Sequence, residues 1–267
     1  MDADAIVDEL IGLEQREPDL GLDLFRSLVS ARQYRGLYRL LHRFVPPGAT
    51  VLDWGCGNGH FSYVLDRLGY RAHGYSFGDV PLVRHLSDRY GFTRGRATDP
   101  TTLPYRNEQF DAVVSVGVLE HVRETGGEEL ASLQEIRRIL KPGGHFLCYH
   151  LPNRFSYIEA VAAVIPRVHH HAYRFTAGDV RRWCDRVRLE LLMLERYGAL
   201  PRNPWQVVPV GRRSRRLADT WDLLDRVMGV VMAPVVQNYR FVARKVANRP
   251  AGEREPRSEA RLPTGAH

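Results

Sequence analysis

Apolar residues recur at helical spacing through the first thirty positions, at Ile6, Leu10 and Leu13 and then at Leu20, Leu24 and Leu28. Pro18 falls between the two runs and predicts a break, because proline has no amide hydrogen to donate to the preceding turn. A third helix is predicted over 31–44 from Tyr34, Leu37, Leu40, Leu41 and Phe44, stopped by Pro46-Pro47-Gly48. The pattern then changes to short solid apolar runs, which predict strands at 50–54, 70–75, 92–97, 111–116, 145–150, 189–197 and 238–246. Between them lie helical patterns: Phe61, Val64, Leu65 and Leu68, a helix opening near Asp79-Val80-Pro81, one over 128–140 ended by Lys141-Pro142-Gly143-Gly144, and one over 177–187. A further amphipathic helix carries Leu217, Trp221, Leu224, Met228 and Val231 and stops at Pro234. Residues 151–176 read as a long connection, and 247–267 lack apolar periodicity and are expected to be disordered.

Alternating strands and helices predict an α/β fold, a doubly wound and mostly parallel sheet that binds its ligand beyond the carboxyl ends of the strands. The predicted organisation is a helical cap over 1–44, a main domain over 45–246 and a tail over 247–267, with inserts at 151–176 and 200–236 shaping a second pocket.

One stretch concentrates chemistry on this frame. Val51-Leu52-Asp53-Trp54-Gly55-Cys56-Gly57-Asn58-Gly59 is a strand ending near a carboxylate, followed by a glycine turn and a helix. The glycines let a ligand approach the backbone closely. Their spacing is G-x-G-x-G, and His60 stands where a dinucleotide-binding loop has glycine or alanine, so a pyrophosphate has no evident seat. A ligand carrying a protonated amine, facing Asp53, suits the acid better.

Asp53-x-Gly55-x-Gly57-x-Gly59 resembles the first motif of the class I S-adenosylmethionine-dependent methyltransferases. The similarity continues through Phe110-Asp111-Ala112-Val113-Val114-Ser115, Val118-Leu119-Glu120-His121-Val122 and Leu140-Lys141-Pro142-Gly143-Gly144, in that family's order and spacing over roughly residues 35–150. The resemblance implies a Rossmann-like sheet of seven strands with the last antiparallel, and S-adenosyl-L-methionine as methyl donor. It implies a donor site built from Asp53, Gly55, Gly57, Gly59, Val116 and Gly117, with Asp99 accepting from the adenine amine. Ser76 stands where such enzymes place an acid for the ribose hydroxyls, with Asp79 a candidate substitute. A hydroxyl there forgoes a paired contact worth about 1–3 kcal/mol.

Methyl transfer from a sulfonium needs alignment above all, and an oxygen nucleophile gains from a general base near neutral pH. His150, His121 and His170 are the candidate bases, the last within the run His169-His170-His171. Consecutive histidines point different ways and have no acid or cysteine close in sequence, so no metal is expected. Asp111 opens its strand and reads as a turn carboxylate.

Composition narrows the class. With 44% hydrophobic residues over 267 positions the chain can fill one substantial core, and three scattered cysteines, Cys56, Cys148 and Cys184, suit a reducing cytoplasm. No apolar run reaches the ~18 residues of a membrane span, and Met1-Asp2-Ala3-Asp4-Ala5 is not expected to open a secretory leader. The formal charge of +7 concentrates at Arg202, Arg212, Arg213, Arg215 and Arg216. With Trp205 and the helix at 217–232 this block suggests peripheral contact with an anionic membrane or an amphiphilic acceptor. The expected activity is O-methylation of a small, lipid-linked or sugar-linked acceptor; nucleic acid is a weaker expectation, since no RNA-binding module is visible. Two other readings stay open, a catalytically silent scaffold that lost affinity through Ser76 and an RNA- or protein-directed methyltransferase.

Overall fold

The computed structural model describes residues 3–96, 98–168, 170–208 and 212–246. Seven strands form one sheet: β1 (Thr50–Trp54), β2 (Arg71–Ser76), β3 (Gly91–Arg94), β4 (Phe110–Val116), β5 (Leu140–Pro152), β6 (Leu189–Tyr197) and β7 (Asn238–Lys245). Their order is β3-β2-β1-β4-β5-β7-β6. The first five pair in parallel, and β7 runs antiparallel to both neighbours, β5 and β6. The chain therefore winds outward from β1 to β3 and then restarts on the other side with β4. This leaves a switch point between β1 and β4, where α/β sheets bind ligands.

Alternation along the strands sends side chains to two cores. Val51, Ala72, Ala112, Val114 and Leu147 face α1 (Ala3–Arg16), α2 (Leu28–Ala31), α3 (Arg35–Phe44) and α4 (His60–Arg67). Leu52, Tyr75, Val113, Phe146 and Cys148 face α5 (Glu129–Ile139) and α7 (Ala177–Arg186). Ile6 and Leu10 of α1 are fully buried, so the N-terminal helices are one wall of the main core rather than a separate body. The other elements are α6 (Tyr157–Val164) and α8 (Arg215–Val231). Among the described residues no helix is long and apolar enough to cross a membrane. The tail expected over 247–267 lies outside the described residues.

Four local expectations change. The helix expected from Asp79-Val80-Pro81 is a 3-10 segment, Pro81–His85, because Leu82 alone in it is buried and no apolar stripe sustains an α-helix. Lys141-Pro142-Gly143-Gly144 does not precede β5 but sits within it, bulged out between the Phe110–Leu140 and Ala112–His145 pairs and pinned by Lys141 to Asp111 at 2.7 Å. The 151–176 connection contains α6, whose N-cap Ser156 accepts from the Glu159 amide. Finally, the last strand does not close an edge; it wedges between β5 and β6.

Candidate active site

The β1–α4 turn hangs from β2 by two bonds, from the Gly55 and Cys56 amides to the Tyr75 carbonyl at 2.8 and 3.0 Å. Gly57 has φ +50°, and a Cβ there would meet nothing nearer than a backbone oxygen at 4.0 Å. Across the switch point Gly117 has φ +67°, and a Cβ there would meet Glu120 at 3.6 Å and His150 at 4.0 Å, ordinary contact distances. Gly55 is different, since a Cβ there would lie 2.5 Å from Val118. Gly57 and Gly117 thus leave open backbone at the β1 and β4 ends, bordered by Val118, Glu120 and His150.

Asp53 lies one row back and is 1% exposed. Its carboxylate accepts from Ser62 Oγ at 2.7 Å, and Ser62 in turn accepts from Tyr90. Burial outweighs these bonds and pushes the Asp53 carboxyl up to about 7. Ser76 ends β2 half-buried and accepts from the Gly78 amide. Asp79, the candidate substitute, is paired with Arg94. Asp99 is exposed and accepts from the Thr102 amide at 3.1 Å, a turn-capping bond that holds its carboxyl below the usual range. Val116 closes β4 opposite Tyr149. Phe77, next after Ser76, is exposed and packs edge-on against Tyr75.

Beyond Gly117 lies a polar wall. His150 sits in a break of the β5–β7 register with φ +65°, which turns its ring off the sheet. Its backbone amide donates to Tyr197 Oη at 2.8 Å, and that hydroxyl meets His150 Nδ1 at 2.9 Å. The hydroxyl and Nδ1 share this bond, the donor being set by the imidazole tautomer. Burial pushes His150 down to about 3, so the ring is neutral at pH 7. His60, just after the glycine turn, is likewise pushed down to about 4 by burial and packs on Tyr34 at 4.7 Å. Tyr34 also meets His150 edge-on at 5.4 Å. Neither His60 nor Tyr34 belongs to a recognisable motif, and only the fold brings them here. A cavity of about 510 Å³ opens beside His150, lined also by Tyr149, Tyr197, Arg32, Arg202 and Arg240.

A second group gathers nearby. Glu120 is 2% exposed and has one oxygen without a hydrogen-bond partner. Burial pushes it up to about 8. His171 Nδ1 stands 3.1 Å from Glu159, and His171 Nε2 stands 4.0 Å from Glu120. Burial opposes the charge on Glu159, yet His171 draws that carboxyl down to about 2. His121 Nδ1 meets Glu124 at 3.0 Å, and the His121 and His171 rings are 5.5 Å apart. Of the histidine run, His170 is exposed and the residue that enters the site is His171; His169 lies outside the described residues. The acid partners missing from the local sequence come from Glu120 and Glu159, 51 and 12 positions away. Glu120, His121 and His171 are also the group that could hold a metal.

The basic block is largely committed. Arg202 is paired with Asp222 and Asp225, and Arg215 with Asp8. Trp205 packs edge-on against Trp221, and Leu223, Val227, Val230 and Val231 of α8 are exposed. Asp111 accepts from the Thr50 amide at the amino end of the sheet, a structural position.

Residues 52–148 match the family model described as a methyltransferase domain. The ubiquinone biosynthesis O-methyltransferase of Dinoroseobacter shibae is 31% identical over 194 residues, 68% of this chain and 71% of that protein. The tRNA (carboxymethyluridine(34)-5-O)-methyltransferase of Arabidopsis thaliana is 35% identical over 106 residues, 39% of this chain and 24% of that protein. Among solved structures, the complex between the Haloferax volcanii Trm112 methyltransferase activator and a methyltransferase superposes with a TM-score of 0.58 at 21% identity, covering 90% of this chain and 98% of that one.

Proposed function

The chain belongs to the class I S-adenosylmethionine-dependent methyltransferases, and from that premise we propose that it methylates an oxygen of a small acceptor, lipid- or sugar-linked acceptors included. The observation that carries this reading is the open backbone at Gly57 and Gly117, facing a wall of hydrogen-bonding side chains across the switch point. The choice of oxygen and of a small acceptor is supported by the O-methyltransferase of D. shibae, matched over most of both chains.

In this reading Gly55, Gly57, Gly59, Val116 and Gly117 line the donor seat with backbone, Asp53 sets its polar end, and Ser76 and Asp99 stand at the ribose and adenine ends. S-adenosylmethionine supplies an electrophilic methyl on a positively charged sulfur. The acceptor oxygen forms its bond to that carbon as the sulfur–carbon bond breaks, the electron pair stays on sulfur, and the acceptor proton leaves to a neighbouring group. His150, neutral at pH 7, positions the acceptor. His171, with Nδ1 set against Glu159, faces the same wall. Excluding water and aligning the oxygen are the main tasks of the wall. A cytoplasmic setting belongs to the same reading, supported by three buried cysteines that are all free.

Isothermal titration with S-adenosylhomocysteine tests the donor seat, and mass spectrometry after incubation with S-adenosylmethionine tests the acceptor. Heat at micromolar ligand and a one-methyl mass gain on hydroxylated small molecules are expected. No heat at millimolar ligand would sink the donor assignment, and binding with no acceptor methylated would favour the silent scaffold. Methylation of tRNA but of no small molecule would transfer the reading to the class of the A. thaliana relative.

A further inference from the structure

We propose that Glu120, His121 and His171 form a binding site for one divalent cation on the acceptor side of the cleft. Each offers one ligand atom, and the three atoms lie within 4.8 Å of one another. The set is two imidazoles and one carboxylate, a mixture that suits borderline ions such as Zn²⁺, Mn²⁺ or Co²⁺ and leaves coordination positions open.

Three independent features point to an ion rather than to a chance cluster. Glu120 is buried to 2% exposure, yet one of its oxygens has no hydrogen-bond partner. An uncompensated buried carboxylate is costly, and a cation is the partner it lacks. Next, each histidine has its Nδ1 set against a second carboxylate, Glu159 at 3.1 Å for His171 and Glu124 at 3.0 Å for His121. That is the outer-shell arrangement which fixes a ligand histidine's tautomer and orients its Nε2 toward the metal. Finally, the three come from two rigid pieces that the fold alone juxtaposes. Glu120 and His121 sit in the 3-10 segment Leu119–Thr125, and His171 is held to α6 by its own amide, which donates to Glu159 Oε2 at 2.8 Å. His121 is the most exposed of the three, and its Nδ1 contact with Glu124 leaves Nε2 as the ligand atom. On the oxygen-transfer reading such an ion would polarise the acceptor hydroxyl, but the site stands or falls without that reading.

The test is titration of tag-free protein with Zn²⁺ and with Mn²⁺ by calorimetry, without donor or acceptor. One ion per chain is expected. Glu120→Gln and His171→Gln should each weaken binding at least tenfold, Glu159→Gln by about 10- to 100-fold, and His85→Gln, outside the group, not at all. Pulsed electron paramagnetic resonance of the Mn²⁺ form should show coupling to two imidazole nitrogens. The proposal is overturned if neither ion binds, or if the ions bind with the same affinity to Glu120→Gln and His171→Gln. Should Glu120→Gln fail to fold, the half-exposed His171 variant and the nitrogen couplings decide. Methyl transfer measured separately on the same samples keeps a failure of the metal site distinct from a failure of the donor seat.

Discussion

Asp53 is a buried carboxyl whose environment differs sharply from its unfolded state. Its folded carboxyl titrates near 7 and its unfolded value is 3.8. Between those limits the folded chain keeps a proton that the unfolded chain has released, so stability falls as pH rises through the interval. Urea unfolding should show wild type losing on the order of a few kcal/mol relative to Asp53→Asn between about pH 4 and about pH 7. The same carboxyl should ionise when a protonated amine arrives, so S-adenosylhomocysteine binding at about pH 6 should release close to one proton. Calorimetry in buffers of different ionisation enthalpy would read this directly, and a buffer-independent heat would count against contact with Asp53. At the end of β2, Ser76→Asp restores a bidentate acceptor at a half-buried edge and should tighten S-adenosylhomocysteine about tenfold. Asp53 and the glycines were legible in sequence because one strand and one turn hold them. Tyr34, His60 and Tyr197 were not, because nothing nearby in sequence reveals that they meet His150.

At the scale of elements, the register break in β5 does what regular pairing would prevent. Cys148 pairs with Phe241 and Leu151 with Tyr239, and the mismatch lets His150 take a positive φ and leave the sheet. Tyr197 then satisfies both its amide and its ring nitrogen. Tyr197→Phe removes both bonds in a buried setting, so it should cost about 1–3 kcal/mol by chemical denaturation. Its kcat should fall more than its KM for donor rises, since β6 lies away from the β1–β2 end. Equal losses in both would argue that Tyr197 supports the fold alone. A helical spacing of apolar residues made most elements readable, whereas α6, apolar almost throughout and only eight residues long, shows no amphipathic stripe although Ser156 and Glu159 carry an N-cap signature. The 3-10 segment after β2 went the other way, its proline suggesting more helix than one buried leucine can hold.

For the whole molecule, the mostly parallel sheet and its single reversed strand were legible through the family resemblance, while the strand order and the placement of the N-terminal segment were not. Apolar periodicity shows that a helix has a buried face but not what buries it. Ile6, Leu10, Phe25 and Leu37 fill the same core as Val51 and Val114. Deleting residues 1–27 should therefore yield protein with no cooperative thermal transition by circular dichroism, not a trimmed enzyme with altered selectivity. The membrane expectation at α8, where Leu223, Val227 and Val230 are exposed, is joined by exposed Val161, Val164 and Ile165 on and after α6. Co-sedimentation with anionic vesicles that is lost in Val164→Asp would support it, and no sedimentation of wild type would remove it.

Because β6 is joined to the sheet only through β7, synthesis order separates the two halves of the cleft in time. A chain emerging from the ribosome has every backbone element of the donor seat by residue 117, yet Tyr197 cannot be fixed against His150 until residues 238–245 arrive to bridge them. Ribosome-stalled chains ending near 200 should accordingly leave His150 without its hydroxyl partner, a dependence that amide exchange on released fragments would expose.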